Sequence, residues 1–347
     1  MTLIVNGPVQ DGEHHDPGHP ERPERLIAAL AGISDLHLDD AMTVLAPYAA
    51  TRAQLALAHD TSYLDELGAF CYAGGGNVDE DTYATYDSWS IARYAAGAGL
   101  AVIDELERRG DGVGFVAARP PGHHALRDRG MGFCLLNNIA VSAAALVARG
   151  ERVLIVDWDV HHGNGTQSIF WNEPNVLYVS THQWPLFPGS GGSREIGGYQ
   201  ALGRTLNLPV PAGATGDVFL RALDEVVAPS VEAFDPTWVL VSAGFDAHRA
   251  DPLADLALSS GDFAALATRV GAFAPRPGRL ALFLEGGYDL GAVRASSAAS
   301  LAALLELNYD AEPVTSGGPG AEAIARAASE RGVALALALE SEAKEHS

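Results

Sequence analysis

From Val113 onward, short β-rich runs alternate with longer helical stretches. "VGFVAA", "RVLIVDWD", "NVLYVST", "WVLVSAGFD" and "RLALFLEGGY" are separated by segments such as 137–149 and 218–234. That alternation predicts an α/β fold, a parallel sheet with helices on both faces. The runs are apolar at consecutive positions, as strands covered on both sides require. In such sheets reacting groups gather at the carboxyl ends of the strands. The chemically unusual residues fall there: Asp157, Asp159 and His161 close one run, Ser180 to His182 the next and Asp246 a third, while "EGGYD" follows a fourth.

Before Val113 the pattern is mostly helical, with amphipathic candidates at 21–30, 60–70 and 87–109. No linker splits the chain. "PVTSGGPG" at 313–320 reads as a flexible connection to a last helix, from 321 to about 344. The expected organisation is therefore one catalytic domain over 1–312, with 313–347 packed on it or appended to it. The formal charge is −22 and Lys344 is the only lysine, which argues against nucleic-acid or anionic-membrane partners. The acidic balance favours cationic substrates; source-organism composition or salt adaptation produces the same balance. Cys71 and Cys134 form no Cys-x-x-Cys pair. With no basic start followed by an apolar segment and a cleavage site, a reducing cytoplasm is the expected location.

In extended backbone, residues two apart point to one side, so Asp157, Asp159 and His161 are expected to converge. Two carboxylates and an imidazole are costly to bury without a cation, and these are ordinary zinc ligands; a hydrogen-bonded polar strand end is the metal-free alternative. Asp246 follows an apolar run and glycine, where it either completes such a site or caps a helix. "RPPGHHA" places His123 and His124 on a turn stiffened by proline, suited to a base and an electrostatic helper. Tyr288 follows two glycines and is either a core tyrosine or a hydrogen-bond donor to a developing oxyanion.

Taken together, "HPERPERL" (19–26), "RPPGHHA" (119–125), "GFCLLNN" (132–138), "VDWDVHHGNGTQ" (156–167), "LFPGSG" (186–191), "SAGFDAHRADPLADL" (242–256) and "LEGGYDL" (284–290) resemble the zinc-dependent histone deacetylase and acetylpolyamine amidohydrolase family, most closely its class II branch and bacterial members. The resemblance spans roughly 14–308. It implies the arginase-deacetylase fold, a single domain with an eight-stranded parallel sheet flanked by helices. It implies Asp159, His161 and Asp246 as ligands of one Zn²⁺, or Fe²⁺ in the cell, with His162 not binding. His123 and His124 match the tandem histidines, with Asp157 behind His123 and Asn164 behind His124. Asn164 stands where some members carry aspartate, and a neutral partner suits a base. A structural K⁺ is implied at Asp157, Asp159, His161, Ser180 and Thr181.

The implied reaction is hydrolysis of a secondary amide, with His124 as base and Tyr288 stabilising the oxyanion. Phe133 and Phe187 would wall the acyl-lysine channel, and the Gly132 carbonyl would accept the substrate N–H. Partners are then acylated lysines in proteins or peptides, or acetylated polyamines, with homo-oligomerisation left open. Leu253 stands where polyamine-preferring eukaryotic relatives carry glutamate, which favours protein lysine. Asp79, Glu80 and Asp81 are either a cation-attracting rim or a solvated loop. Rival readings are a binuclear manganese ureohydrolase, which shares the fold, and a non-catalytic acyl-lysine binding module.

Overall fold

The computed structural model describes residues 1–7 and 12–345. Its strands are β1 (Leu3–Asn6), β2 (Met42–Leu45), β3 (Gly76–Asn77), β4 (Tyr83–Ala84), β5 (Val113–Val116), β6 (Val153–Asp157), β7 (Val176–Gln183), β8 (Thr205–Val210), β9 (Trp238–Ala243) and β10 (Leu280–Leu284). Its helices are α1 (Glu24–Ser34), α2 (Arg52–Leu55), α3 (Thr61–Tyr72), α4 (Ser88–Arg109), α5 (Asn138–Val147), α6 (Asn164–Ile169), α7 (Gly216–Ala222), α8 (Ala228–Phe234), α9 (Ser260–Gly271), α10 (Leu290–Leu304) and α11 (Ala321–Glu345). A π-helical stretch, Leu223–Val227, joins α7 to α8. Eight strands form one sheet in the order β2-β1-β5-β10-β9-β6-β7-β8, every neighbouring pair parallel.

The period-two geometry of a strand divides each apolar run between two cores. In β6, Leu154 and Val156 join the layer on one face, while Val153 and Ile155 join the other. In β10, Leu280, Leu282 and Leu284 oppose Ala281 and Phe283 in the same way. Continuous apolarity is thus the signature of a strand covered twice.

Three sheet strands lie outside the five runs that open the sequence reading. β1 is only four residues long, β2 is a half-exposed edge strand, and β8 contains Asn207 and Pro209. Proline removes a ladder donor and is tolerated because β8 is the opposite edge, where α11 packs against it. The helix expected over 21–30 begins instead at Glu24, behind Pro23. Glu21 is withdrawn from it into a buried ion-pair cluster.

Candidate active site

The carboxyl ends of the adjacent strands β5, β10, β9 and β6 converge, and each delivers part of one cluster. Asp159, His161 and Asp246 bring one ligand atom apiece within 4.8 Å of one another. His161 Nδ1 lies 3.2 Å from both Asp159 Oδ1 and Asp246 Oδ2. Ligands about 2.0–2.1 Å from a tetrahedral ion stand about 3.3 Å apart, so the spacing fits a single metal.

Backbone donors aim these carboxylates. Asp159 Oδ2 accepts from the N–H of Gly286 (2.8 Å), and Asp246 Oδ1 from that of Val160 (2.8 Å). Asp246 Oδ2 is fully buried without a well-aligned donor, the state of an oxygen reserved for a cation. Gly286 makes the cradle possible, since a Cβ there would lie 2.0 Å from Asp246 Oδ2. Burial disfavours charge on His161, yet the carboxylates of Asp159 and Asp246 raise its pKa to about 10. The same field favours a metal ion, which would displace that proton.

The expected side-by-side convergence of Asp157, Asp159 and His161 is not what forms. β6 ends at Asp157, and the turn beyond it sends Asp159 and His161 to the metal-type cluster while Asp157 faces His123. Asp157 Oδ2 lies 3.0 Å from His123 Nδ1 and accepts from the Tyr178 hydroxyl at 3.2 Å. Burial pulls the His123 pKa down, but Asp159 and Asp157 outweigh it and hold the imidazole well above its ordinary value. His124 is pushed well below the ordinary value by burial and then by repulsion from His123 and His161. Its Nδ1 lies 2.7 Å from Asn164 Oδ1, a neutral partner. The two rings are 4.0 Å apart between centroids. Adjacent histidines are thus driven in opposite directions, one towards imidazolium and one towards a free base.

Phe133 lies edge-on to Tyr288 at 5.8 Å, and Phe187 edge-on to His124 at 5.1 Å, so aromatic rings border both groups. Gly132 has φ +55°, and a Cβ there would come within 2.6 Å of His124 Cδ2. Its carbonyl accepts the Cys134 thiol at 3.3 Å and retains a second lone pair. Leu253 is partly exposed. Ser180 and Thr181 are buried on β7, Ser180 in register with Asp157 and its hydroxyl 2.9 Å from His182 Nδ1. His162 turns to Ser190 and Gln167, away from the cluster. In the acidic loop, Asp79 Oδ1 accepts from the N–H groups of Thr82 and Asp81.

Several residues of consequence escape sequence reasoning. The buried Glu285 accepts from the N–H groups of Gly122 (2.7 Å) and His123 (3.1 Å), fixing the histidine turn. Asp251 accepts from the N–H groups of Tyr288 (2.7 Å) and Leu253 (3.0 Å), tying the two loops together. Burial raises both carboxyls to about 7. Arg25 donates to the carbonyls of Gly287 and Glu285 and lies 4.8 Å above the Tyr288 ring. Their only signal was membership of "HPERPERL", "SAGFDAHRADPLADL" and "LEGGYDL"; Tyr178 had none.

A sequence profile described as the histone deacetylase domain matches residues 19–304. Histone deacetylase-like amidohydrolase of Pseudomonas aeruginosa is 39% identical over 296 residues, 83% of this chain and 77% of that protein. A probable deacetylase of Methanothermobacter thermautotrophicus is 38% identical, covering 91% of this chain and 94% of its own length. Histone deacetylase 10, chloroplastic, of Oryza sativa subsp. japonica is 38% identical over 84% of this chain and 71% of that protein. The crystal structure of the HDA15 HD domain superposes with a TM-score of 0.87 at 31% identity, over 99% of this chain and 98% of that one. A buried cluster able to hold a metal, set beside paired histidines in a sheet of this topology, accords with these matches: the chain belongs to the histone deacetylase family and is a hydrolase acting on amides.

Proposed function

We propose that the protein is a zinc-dependent deacylase that removes an acyl group, by default acetyl, from lysine side chains of proteins or peptides. The observation that carries this reading is the buried cluster of Asp159, His161 and Asp246, in which Asp246 Oδ2 has no well-aligned donor, beside His124 and His161 rings 6.0 Å apart. Zn²⁺ held there would polarise the acyl carbonyl and acidify a water molecule. His124, kept neutral with its Nδ1–H donated to Asn164 Oδ1, takes a proton on Nε2 from the attacking water as the water oxygen bonds to the acyl carbon. Tyr288, whose buried hydroxyl keeps its own proton, donates a hydrogen bond to the oxyanion. The imidazolium formed at His124, disfavoured by burial and by His123, gives the proton to the departing amine as the C–N bond breaks.

Phe133 and Phe187 are assigned to the channel wall, and the free lone pair of the Gly132 carbonyl to the substrate N–H. A structural K⁺ is proposed beside Asp157, Asp159, His161, Ser180 and Thr181, where the acid-rich strand end gains from a second cation. Residues 1–312 are taken as the catalytic body, with 313–347 as a connection and helix packed on it. Among the described residues the metal-type cluster is a single three-residue group, which favours one ion over a binuclear ureohydrolase centre. The aliphatic Leu253 favours protein lysine over polyamines. A chelator-controlled panel of acylated lysine peptides, acetylputrescine, acetylcadaverine and acetylspermidine tests this. Zinc-restored turnover of peptides is expected; turnover of polyamines alone would overturn the substrate assignment, and no turnover of either would overturn the deacylase reading.

A further inference from the structure

Between α3 and the loop that leads into Gly132 and Phe133 lies a groove of about 480 Å³ that no step above uses. Its apolar lining is Leu67, Phe70, Val78 and Met131, with Phe70 reaching the surface. Its rim carries the carboxylates of Glu66, Asp79 and Asp128 against one cation, Arg129. Two links join it to the catalytic groups. Met131 precedes Gly132 and Phe133 in the chain, and its sulfur lies 3.3 Å from Nδ2 of the Asn164 that holds His124. Thr82, whose N–H is held by Asp79 at 2.7 Å, accepts the N–H of Phe133 on its hydroxyl at 3.0 Å. The groove and the Phe133 side of the channel wall thus share one loop, braced by a second.

We propose that this groove receives the residues flanking the acylated lysine of a protein substrate, taking an apolar side chain against its lining and an adjacent Arg or Lys at its rim. The inference rests on the deacylase reading. Three carboxylates against one guanidinium select a basic partner, in keeping with the chain's −22 charge. The apolar lining selects a side chain that a free acylated polyamine lacks. Burial of one Leu or Phe corresponds to about a tenfold or larger gain in affinity.

The test compares acetyl-lysine peptides carrying Leu-Arg, Gly-Gly or Leu-Asp on either side of the acylated residue, with a minimal blocked acetyl-lysine amide as reference. KM is expected to fall about tenfold for Leu-Arg on one side, with kcat unchanged. Phe70→Ala should abolish the preference for Leu, and the double variant Glu66→Gln, Asp128→Asn the preference for Arg, each leaving the minimal substrate unaffected. Fluorescence anisotropy of a labelled, unacylated Leu-Arg peptide supplies a second readout, with the same variants expected to weaken binding. Equal KM for all flanks with good turnover of the minimal amide would overturn the groove and leave the deacylase reading intact. No turnover of any amide would overturn the deacylase reading, and the anisotropy series then decides the groove: binding lost in both variants supports it, and unchanged binding overturns it.

Discussion

Two buried charge clusters lie on either side of Tyr288, and they solve the same electrostatic problem in opposite ways. In the first, Glu21 bridges Arg119 (2.5 Å) and Arg25 (2.9 Å), so the anion finds its cations within the chain. In the second, Asp159, Asp246 and their acidic neighbours face two histidines, and Asp246 Oδ2 goes without a well-aligned donor. A carboxylate that meets two permanent cations is scaffold, whereas carboxylates that meet only imidazoles are completed by a cation from outside. The kind of cation supplied from within the chain, rather than burial, separates structure from chemistry here.

The contrast breaks most directly at Asp246. Asp246→Ala should take hydrolysis below detection and metal content, by atomic spectrometry, towards zero; retained metal would mean that the cluster is not the binding centre. Tyr288→Phe should come next, lowering kcat by about 10²–10³-fold with metal content unchanged, because it removes an oxyanion donor and nothing else. Activity equal to the parent would remove Tyr288 from its role.

Glu21→Gln removes the carboxylate shared by two buried guanidiniums and should cost about 3–5 kcal/mol in denaturant unfolding, without change in metal stoichiometry. Its pH dependence has a definite sign. Burial would raise the Glu21 pKa, but Arg119 and then Arg25 bring it down to about 2, from an ordinary value of 4.5. A depressed carboxyl stabilises fully above its unfolded pKa, so the gap between wild type and variant should be widest above pH 4.5 and close as pH falls towards 2. A constant gap would mean that lost packing, not lost charge, sets the cost.

The smallest effect is expected at Asn164→Asp. A carboxylate 2.7 Å from His124 Nδ1 favours the imidazolium, so the acid limb of the kcat/KM profile should move up by roughly one unit. An unmoved limb would show that another group controls it.

How much of this was legible in the sequence follows from the range of each signal. The strands covered on both faces announced themselves because their apolar runs are local. The edges did not: half-exposed β2 and proline-bearing β8 earn their places through neighbours distant in the chain. The site divides likewise. Asp159, His161 and Asp246 stand out as charges at the ends of apolar runs. Glu285 and Asp251 act through backbone N–H groups 163 and 37 positions away, a relation that no spacing rule encodes. Asp157 shows the boundary, since strand periodicity grouped it with Asp159, and the turn after β6 leaves both carboxylates facing His123 but only Asp159 in the metal-type cluster.

Arg25 bonds two carbonyls of the turn carrying Tyr288 and lies over its ring. A segment clamped in this way has little freedom to swing outward, so the Tyr288 side of the cavity should meet an acyl chain in its resting shape. Efforts to enlarge the accepted acyl group should therefore recut the walls and leave the clamp alone.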